Sequence, residues 1–247
     1  RRDPRAPPPG GTRLVTGSPD GPGRVGGGSS DYPADGRHPV LVPENWDRHL
    51  DSSEWVLGRD GLPFRTAARV LVVTRRGDML LLVGHDAADP NHSWVFTPGG
   101  GLRPGEDPRA GAVRELAEES GIDVAPADLE GPVAHREALF RFASVACRQD
   151  EIFYLLRLPA RCPVAKEGWT DLERDVVDSI AWWSPHDLRV AQERGQEIYP
   201  VSLPELALEL AAGWSGEPLD LTDPVDAEVL AELTAHQPAR TDLRGHP

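Results

Sequence analysis

A run of three glycines followed by a helix-length segment with three glutamates constrains this chain more than any other feature. The stretch reads Gly99-Gly100-Gly101-Leu102-Arg103-Pro104-Gly105-Glu106 and continues from Asp107 to Ile122. Asp107–Ser120 predicts a helix, with Gly121 as its natural stop. Glu115, Glu118 and Glu119 are spaced i, i+3, i+4 and project from one arc of about 100°. Ala110, Val113, Leu116 and Ala117 are expected on the opposite side, packed on a sheet. Like charges at this spacing destabilise an isolated helix by roughly a few tenths of a kcal/mol per pair. A solvated acidic face would tolerate that and is one reading. The glycine loop supplies another. Glycine lets the backbone approach a neighbouring group closely, and hard divalent cations take carboxylate oxygens, waters and substrate phosphates. Loop, helix and clustered acids together make a metal–pyrophosphate site.

The surrounding pattern is mixed. Thr66–Thr74 and Met79–Gly84 read as strands joined at Arg75-Arg76-Gly77-Asp78, a hairpin turn. Trp94–Thr97, Val133–Phe142, Glu151–Leu158 and Val176–Trp183 also read as strands. Pro185 to about Arg194 and Leu203–Trp214 read as helices, with a short helix near Val225–Thr234. Hairpins around one central helix, then terminal helices, define an α/β (α+β) class. Residues 1–39 hold eight Pro and nine Gly and are expected to form a disordered arm. Residues 40–64 carry Trp46, Trp55, Leu57 and Phe64, which are expected to anchor a segment against the main domain. The segment 196–247 is expected to be a helical and acidic extension. Its tail from Gly216 has seven acids against two Arg and reads as solvated surface.

Composition narrows the function classes. The 247 residues are long enough to bury a core without a disulfide scaffold. Forty acids against 26 bases, a net charge of −14, argue against DNA as a partner. A small anionic substrate is still admitted if a metal ion lies between. Cys147 and Cys162 are the only cysteines, with no metal-ligand spacing, and suit a reducing cytoplasm. No apolar stretch has the length of a membrane span. Of the 26 bases 25 are Arg, read as codon bias. The single Met79 and the start at Arg1 suggest that the natural start is missing or altered.

The glycine–glutamate stretch resembles the Nudix box, Gly-x5-Glu-x7-Arg-Glu-U-x-Glu-Glu-x-Gly-U, with U bulky and apolar. Gly100, Glu106, Arg114, Glu115, Leu116, Glu118, Glu119, Gly121 and Ile122 fill every fixed place. Trp94-Val95-Phe96-Thr97-Pro98 resembles the family's strand and turn into the box. Trp182-Trp183-Ser184-Pro185-His186-Asp187-Leu188 resembles its late strand and helix. The resemblance covers roughly Arg65 to Arg194, and the domain is placed at 65–195. It implies an α/β/α sandwich with a mixed sheet, and Mg²⁺- or Mn²⁺-dependent hydrolysis of a nucleoside diphosphate linked to another moiety. It also implies that Glu115, Glu118 and Glu119 bind metal, joined by the Gly100 backbone. Arg114 is implied to orient a neighbouring carboxylate, through Glu106. Many members use a further acid outside the box. Glu173 is the first candidate, then Glu167 and Glu151.

Trp94 and Phe96 are candidates for stacking on a base, Gly99 and Gly101 for backbone contacts, and Arg136 for phosphate. His135 and Arg141 lie nearby. Trp182 and Trp183 face opposite ways on a strand, so one is expected in the core and the other at a pocket or interface. His85, His92 and the two cysteines are read as incidental. Substrate type stays open, because Glu137 and Ala138 stand where the ADP-ribose type has proline, and Leu139 and Phe140 where the dinucleoside polyphosphate type has tyrosine. The expected partner is a small nucleotide-like diphosphate, with neither DNA nor membrane; a homodimer stays open. Two rivals are a non-catalytic nucleotide sensor and an enzyme acting on capped RNA ends, which would want a basic groove.

Overall fold

The computed structural model describes residues 46–48, 50, 53–58, 60–86, 90–142, 145–169, 171–221, 223, 225 and 229. The expected arm 1–39 and all of the helix expected near 225–234 except Val225 and Val229 lie outside them. In chain order the strands and helices are β1 (Val56–Leu57), β2 (Pro63–Thr74), β3 (Met79–His85), β4 (Ser93–Phe96), β5 (Gly99–Gly101), α1 (Pro108–Ser120), β6 (Glu130–Phe142) and β7 (Val145–Leu158). There follow α2 (Asp171–Val176), β8 (Val177–Trp183), α3 (Pro185–Glu193), β9 (Glu197–Tyr199), α4 (Leu203–Ala212) and β10 (Leu219–Leu221).

The sheet is mixed and curled. Its main path runs β10-β6-β7-β2-β3-β4-β9, with β1 and β5 on β2 and β8 on β3. β2 runs parallel to β7 over eleven residue pairs, Phe64↔Arg148 to Thr74↔Leu158. It meets β3 only at Val73↔Met79, beside the hairpin turn. Beyond that point the two strands part. β2 pairs with the short β5, while β3 is flanked by β4 and β8.

Alternation along β2 divides the core. Leu71 and Val73 pack with Phe153, Leu155 and the α3/α4 residues Leu188, Leu203, Leu206, Ala207 and Leu210. Ala68, Val70 and Val72 point the other way, toward Ala112 and Leu116 of α1. Helices therefore cover both faces, which is the α/β/α layering. A third cluster joins Leu50, Trp55, Leu62, Val145, Ala146 and Cys147, with Trp46 and Phe140 at its margin.

Several expectations need correction. Leu57 is exposed, so Trp55 rather than Leu57 carries the anchoring contact. Trp182 and Trp183 are both partly buried, one against each main cluster, because helices cover both faces of β8. The acidic tail is not wholly solvated. Leu219–Leu221 adds a parallel strand to β6, and Asp223 pairs with buried Arg136 at 3.0 Å. Three-residue strands carry too little alternation to stand out in an acidic stretch.

Candidate active site

Strand β5 lies antiparallel on β2, with Ala67↔Gly101, Ala68↔Gly100 and Arg69↔Gly99 in register. Gly99 has φ +133°, and a Cβ there would fall 2.3 Å from the Ala68 carbonyl oxygen. On the neighbouring residue a Cβ would sit 2.8 Å from the Glu115 carboxylate carbon. The strand thus lacks side chains where α1 approaches it, and the α1 carboxylates fill the space. The Gly99 N–H donates to Glu119 Oε2 at 2.7 Å. α1 starts at Asp107, whose carboxylate accepts from the Arg109 and Ala110 N–H groups, with Pro108 in the first turn. It stops at Gly121 in the left-handed conformation. Trp169 donates its indole N–H to the Glu119 carbonyl at 2.7 Å, bracing the last turn.

The expected division of α1 into carboxylate and apolar sides is corrected. Glu115 and Glu119 are buried and share their arc with Ala112, Leu116 and Ser120, while Ala110 is exposed. Glu118 alone of the three keeps substantial exposure, 44% of its side chain. The carboxylate stripe flanks the packed face instead of opposing it, because its neighbour is the glycine strand.

Arg114 gathers the acids. It forms a two-pronged pair with Glu106, Nε to Oε1 at 2.8 Å and Nη2 to Oε2 at 2.9 Å. Nη1 donates to Glu115 at 2.5 Å and Glu118 at 3.1 Å, and Nη2 also reaches the Gly101 carbonyl at 3.2 Å. The Arg114 hydrogen bonds hold the Glu106 carboxyl down at about 2, and the Arg103 N–H adds to this. The same contacts raise the Arg114 pKa. Burial pushes Glu115 up, against the pull of Arg114.

The remaining candidates scatter. Glu173 falls in α2, and its side chain lies outside the described residues. Glu167 is exposed. Glu151 is buried on β7, where burial alone would raise its pKa, but Arg69 and Arg136 hold it below the ordinary range. Arg136 is engaged with Glu151 at 2.9 Å as well as with Asp223. Trp94 is partly buried with its edge near His92, ring centres 5.3 Å apart. Phe96 packs against the α1-side cluster. His85 pairs with Asp178 and His92 with Glu197. Burial pushes the Cys147 thiol up to about 12. A cavity of about 460 Å³ lies beside the box loop, lined by Thr66, His135, Glu137, Asp150 and Ile152 among others. The Thr66 carbonyl accepts the Leu102 N–H at 2.9 Å, so cavity and loop adjoin.

The sequence reading missed Arg65, Arg69, Gln149 and Glu54. These line the back of the glycine strand, on the face of β2 away from α1. Arg65 and Arg69, spaced i, i+4 with Ala67 between on a strand with no other charge, were the available signal. Charges on one face of a buried strand need partners there. Among the described residues no group of three acidic, histidine or cysteine side chains converges as a ready metal cluster. The donor chemistry nonetheless suits a hard cation, since Glu115, Glu118 and Glu119 offer carboxylate oxygens beside a backbone with no side chain in the way.

The NUDIX domain family matches residues 63–206. That is more than half of the chain, which belongs to the Nudix family. An RNA pyrophosphohydrolase of Rhodopseudomonas palustris (strain BisB18) is 38% identical over 66 residues, covering 26% of this chain and 37% of that protein. One from Roseobacter denitrificans is 39% identical over 62 residues, with 25% and 37% covered. The chain spans under two fifths of the length of these curated relatives. Among solved structures, a dihydroneopterin triphosphate pyrophosphohydrolase from E. coli is 18% identical with a TM-score of 0.43, covering 60% of this chain and 97% of that one. A MutT protein from Bacillus halodurans is 16% identical with a TM-score of 0.42, covering 64% and 88%. Among the described residues no helix is long and apolar enough to cross a membrane.

Proposed function

We propose that the chain is a divalent-cation-dependent pyrophosphohydrolase acting on a nucleoside diphosphate linked to another moiety. The observation that carries this reading is the burial of Glu115 and Glu119 against a strand made only of glycine. Burying carboxylates is costly unless positive charge meets them. Arg114 already divides its donors among Glu106, Glu115 and Glu118. Glu115, Glu118 and Glu119, with the Gly100 carbonyl, are the groups that would hold Mg²⁺ or Mn²⁺. When bound, the ion supplies neutralisation of pyrophosphate charge and a lowered pKa for attacking water.

The chain's own residues do the rest by positioning. Arg114 fixes Glu115 and Glu118, and the Gly99 N–H fixes Glu119. Glu118, the most exposed of the three at 44% of its side chain, would complete the set from the open edge of α1. The adjoining cavity receives the substrate's remaining moiety, with Thr66, His135, Glu137 and Ile152 in its wall. The name carried by the curated relatives favours a second reading, in which the substrate is an RNA 5′ end.

The test is phosphate release from a panel of nucleoside triphosphates, nucleotide sugars and 5′-triphosphorylated RNA, with Mg²⁺ or Mn²⁺. Turnover is expected with either ion and is removed by a chelator. Glu118→Gln and Glu119→Gln are each expected to lower kcat at least a hundredfold with the melting temperature nearly unchanged. Turnover undiminished in both variants would overturn the site. Tight nucleotide binding without turnover would instead favour a sensor.

A further inference from the structure

We propose that Arg69 and Glu151 are positioning residues of this site, holding the turn into the glycine strand so that the Gly99 N–H meets Glu119. The inference rests on the hydrolase reading above and extends it to residues outside the box. Arg69 lies on the face of β2 turned away from α1. Its Nη1 donates to the Thr97 carbonyl at 3.0 Å and the Gly99 carbonyl at 3.2 Å. Its Nε donates to Glu151 Oε1. One planar guanidinium therefore ties both carbonyls around Pro98 to a carboxylate fixed in the sheet.

Glu151 is a rigid anchor. Its side chain is 1% exposed. Besides Arg69 it accepts from Gln149 Nε2 at 2.6 Å and from Arg136 Nη1 at 2.9 Å. Gly101, Ala67, Glu151 and Arg136 stand in one register row across β5, β2, β7 and β6. Residues in register share a face, so this polar row backs the glycine strand while α1 covers its front.

The turn needs such a lock. Gly99 at φ +133° has no side chain to restrict it. Its N–H is directed at Glu119 and its carbonyl at Arg69, so the peptide groups on either side of Gly99 are pinned from opposite faces of the sheet. Buried ion pairs are seldom the most stabilising choice for a core. Here the fork geometry of arginine matches two carbonyls and a carboxylate, which an ammonium on a flexible stem would not reproduce.

The test uses the full chain. Arg69→Lys keeps the positive charge beside Glu151 and removes the fork. It is expected to lower kcat at least tenfold while KM changes less than threefold. In the ¹⁵N-labelled protein the Gly99 amide proton, bonded to a charged carboxylate, resonates downfield. Glu119→Gln is expected to move it upfield, and Arg69→Lys to move it the same way. A folded Arg69→Lys protein with the Gly99 amide unmoved, or with kcat within twofold of wild type, overturns the proposal. If the lysine variant fails to fold, the same two readouts on Glu151→Gln decide. Absence of wild-type turnover would defeat the hydrolase reading alone, because the amide comparison needs no substrate and still decides the positioning role.

Discussion

Gly101 occupies a place that the Nudix box leaves open, and its φ demands no glycine. Its neighbour explains it. A Cβ at Gly101 would lie 2.2 Å from Glu54 Oε2. Glu54 belongs to the segment ahead of the matched domain and is held by Arg65 at 2.6 Å, with the Arg65 guanidinium stacked 4.4 Å over Trp55. Gly101→Ala is therefore expected to push the Glu54 carboxylate, the end of a partly exposed side chain, off Arg65 at a cost of about 1 kcal/mol. In a Glu54→Ala background the added methyl finds room, so the cost shrinks and the double-mutant cycle is non-additive. Urea unfolding of the four proteins measures this; strict additivity would mean that Glu54 does not rest on Gly101. The third glycine was plain in the sequence, but its reason was not. The reason lies 47 residues away and reaches the site only through the fold.

At the scale of elements, the long strands and helices were legible because alternation and capping act locally. α1 carries its own N-cap, proline and glycine stop, and the hairpin carries Gly77 at its turn. The two- and three-residue strands β1, β5, β9 and β10 were not legible, since partner edges create them rather than an internal period. The burial of Glu115 and Glu119 was hidden for a related reason. A helical wheel gives an arc, but which arc is covered depends on what crosses it, here a strand with no side chains. The Arg114–Glu106 pair joins α1 to the loop before it and brings a pH dependence. Glu106 titrates at about 2 in the folded chain against an ordinary 4.5. A depressed carboxyl contributes stability that is fully present above the unfolded value and fades as pH falls through the folded one. Wild type should therefore exceed Glu106→Gln in melting temperature by a constant margin above about pH 5, shrinking toward zero near pH 2. A margin that stayed level across that window would show that Arg114 does not hold Glu106 as described.

For the whole molecule, both flanks of the matched domain contribute to its interior polar row. Glu54 and Arg65 close one end, and Asp223 closes the other by pairing with Arg136, which in turn holds Glu151. Asp223 also accepts the Val201 N–H at 2.9 Å, joining the segment between β9 and α4 to the stretch after β10. Composition alone made this tail a source of negative charge, because a single buried acid leaves no trace in a count. Its side chain and that of Arg136 are only 7% and 8% exposed. Without Asp223 the buried guanidinium of Arg136 shares the single Glu151 carboxylate with Arg69, leaving one buried positive charge in excess, at roughly 3 kcal/mol. Asp223→Ala is thus expected to lower the melting temperature by about 6–12 °C for a chain of this size. Asp178→Ala, which breaks the half-exposed pair with His85, is expected to cost less than about 1 kcal/mol. Calorimetry on both variants separates the cases. Equal small losses would show that the stretch after β10 only rests on the surface, whereas the unequal pattern ties the acidic tail to the residues that support the glycine strand.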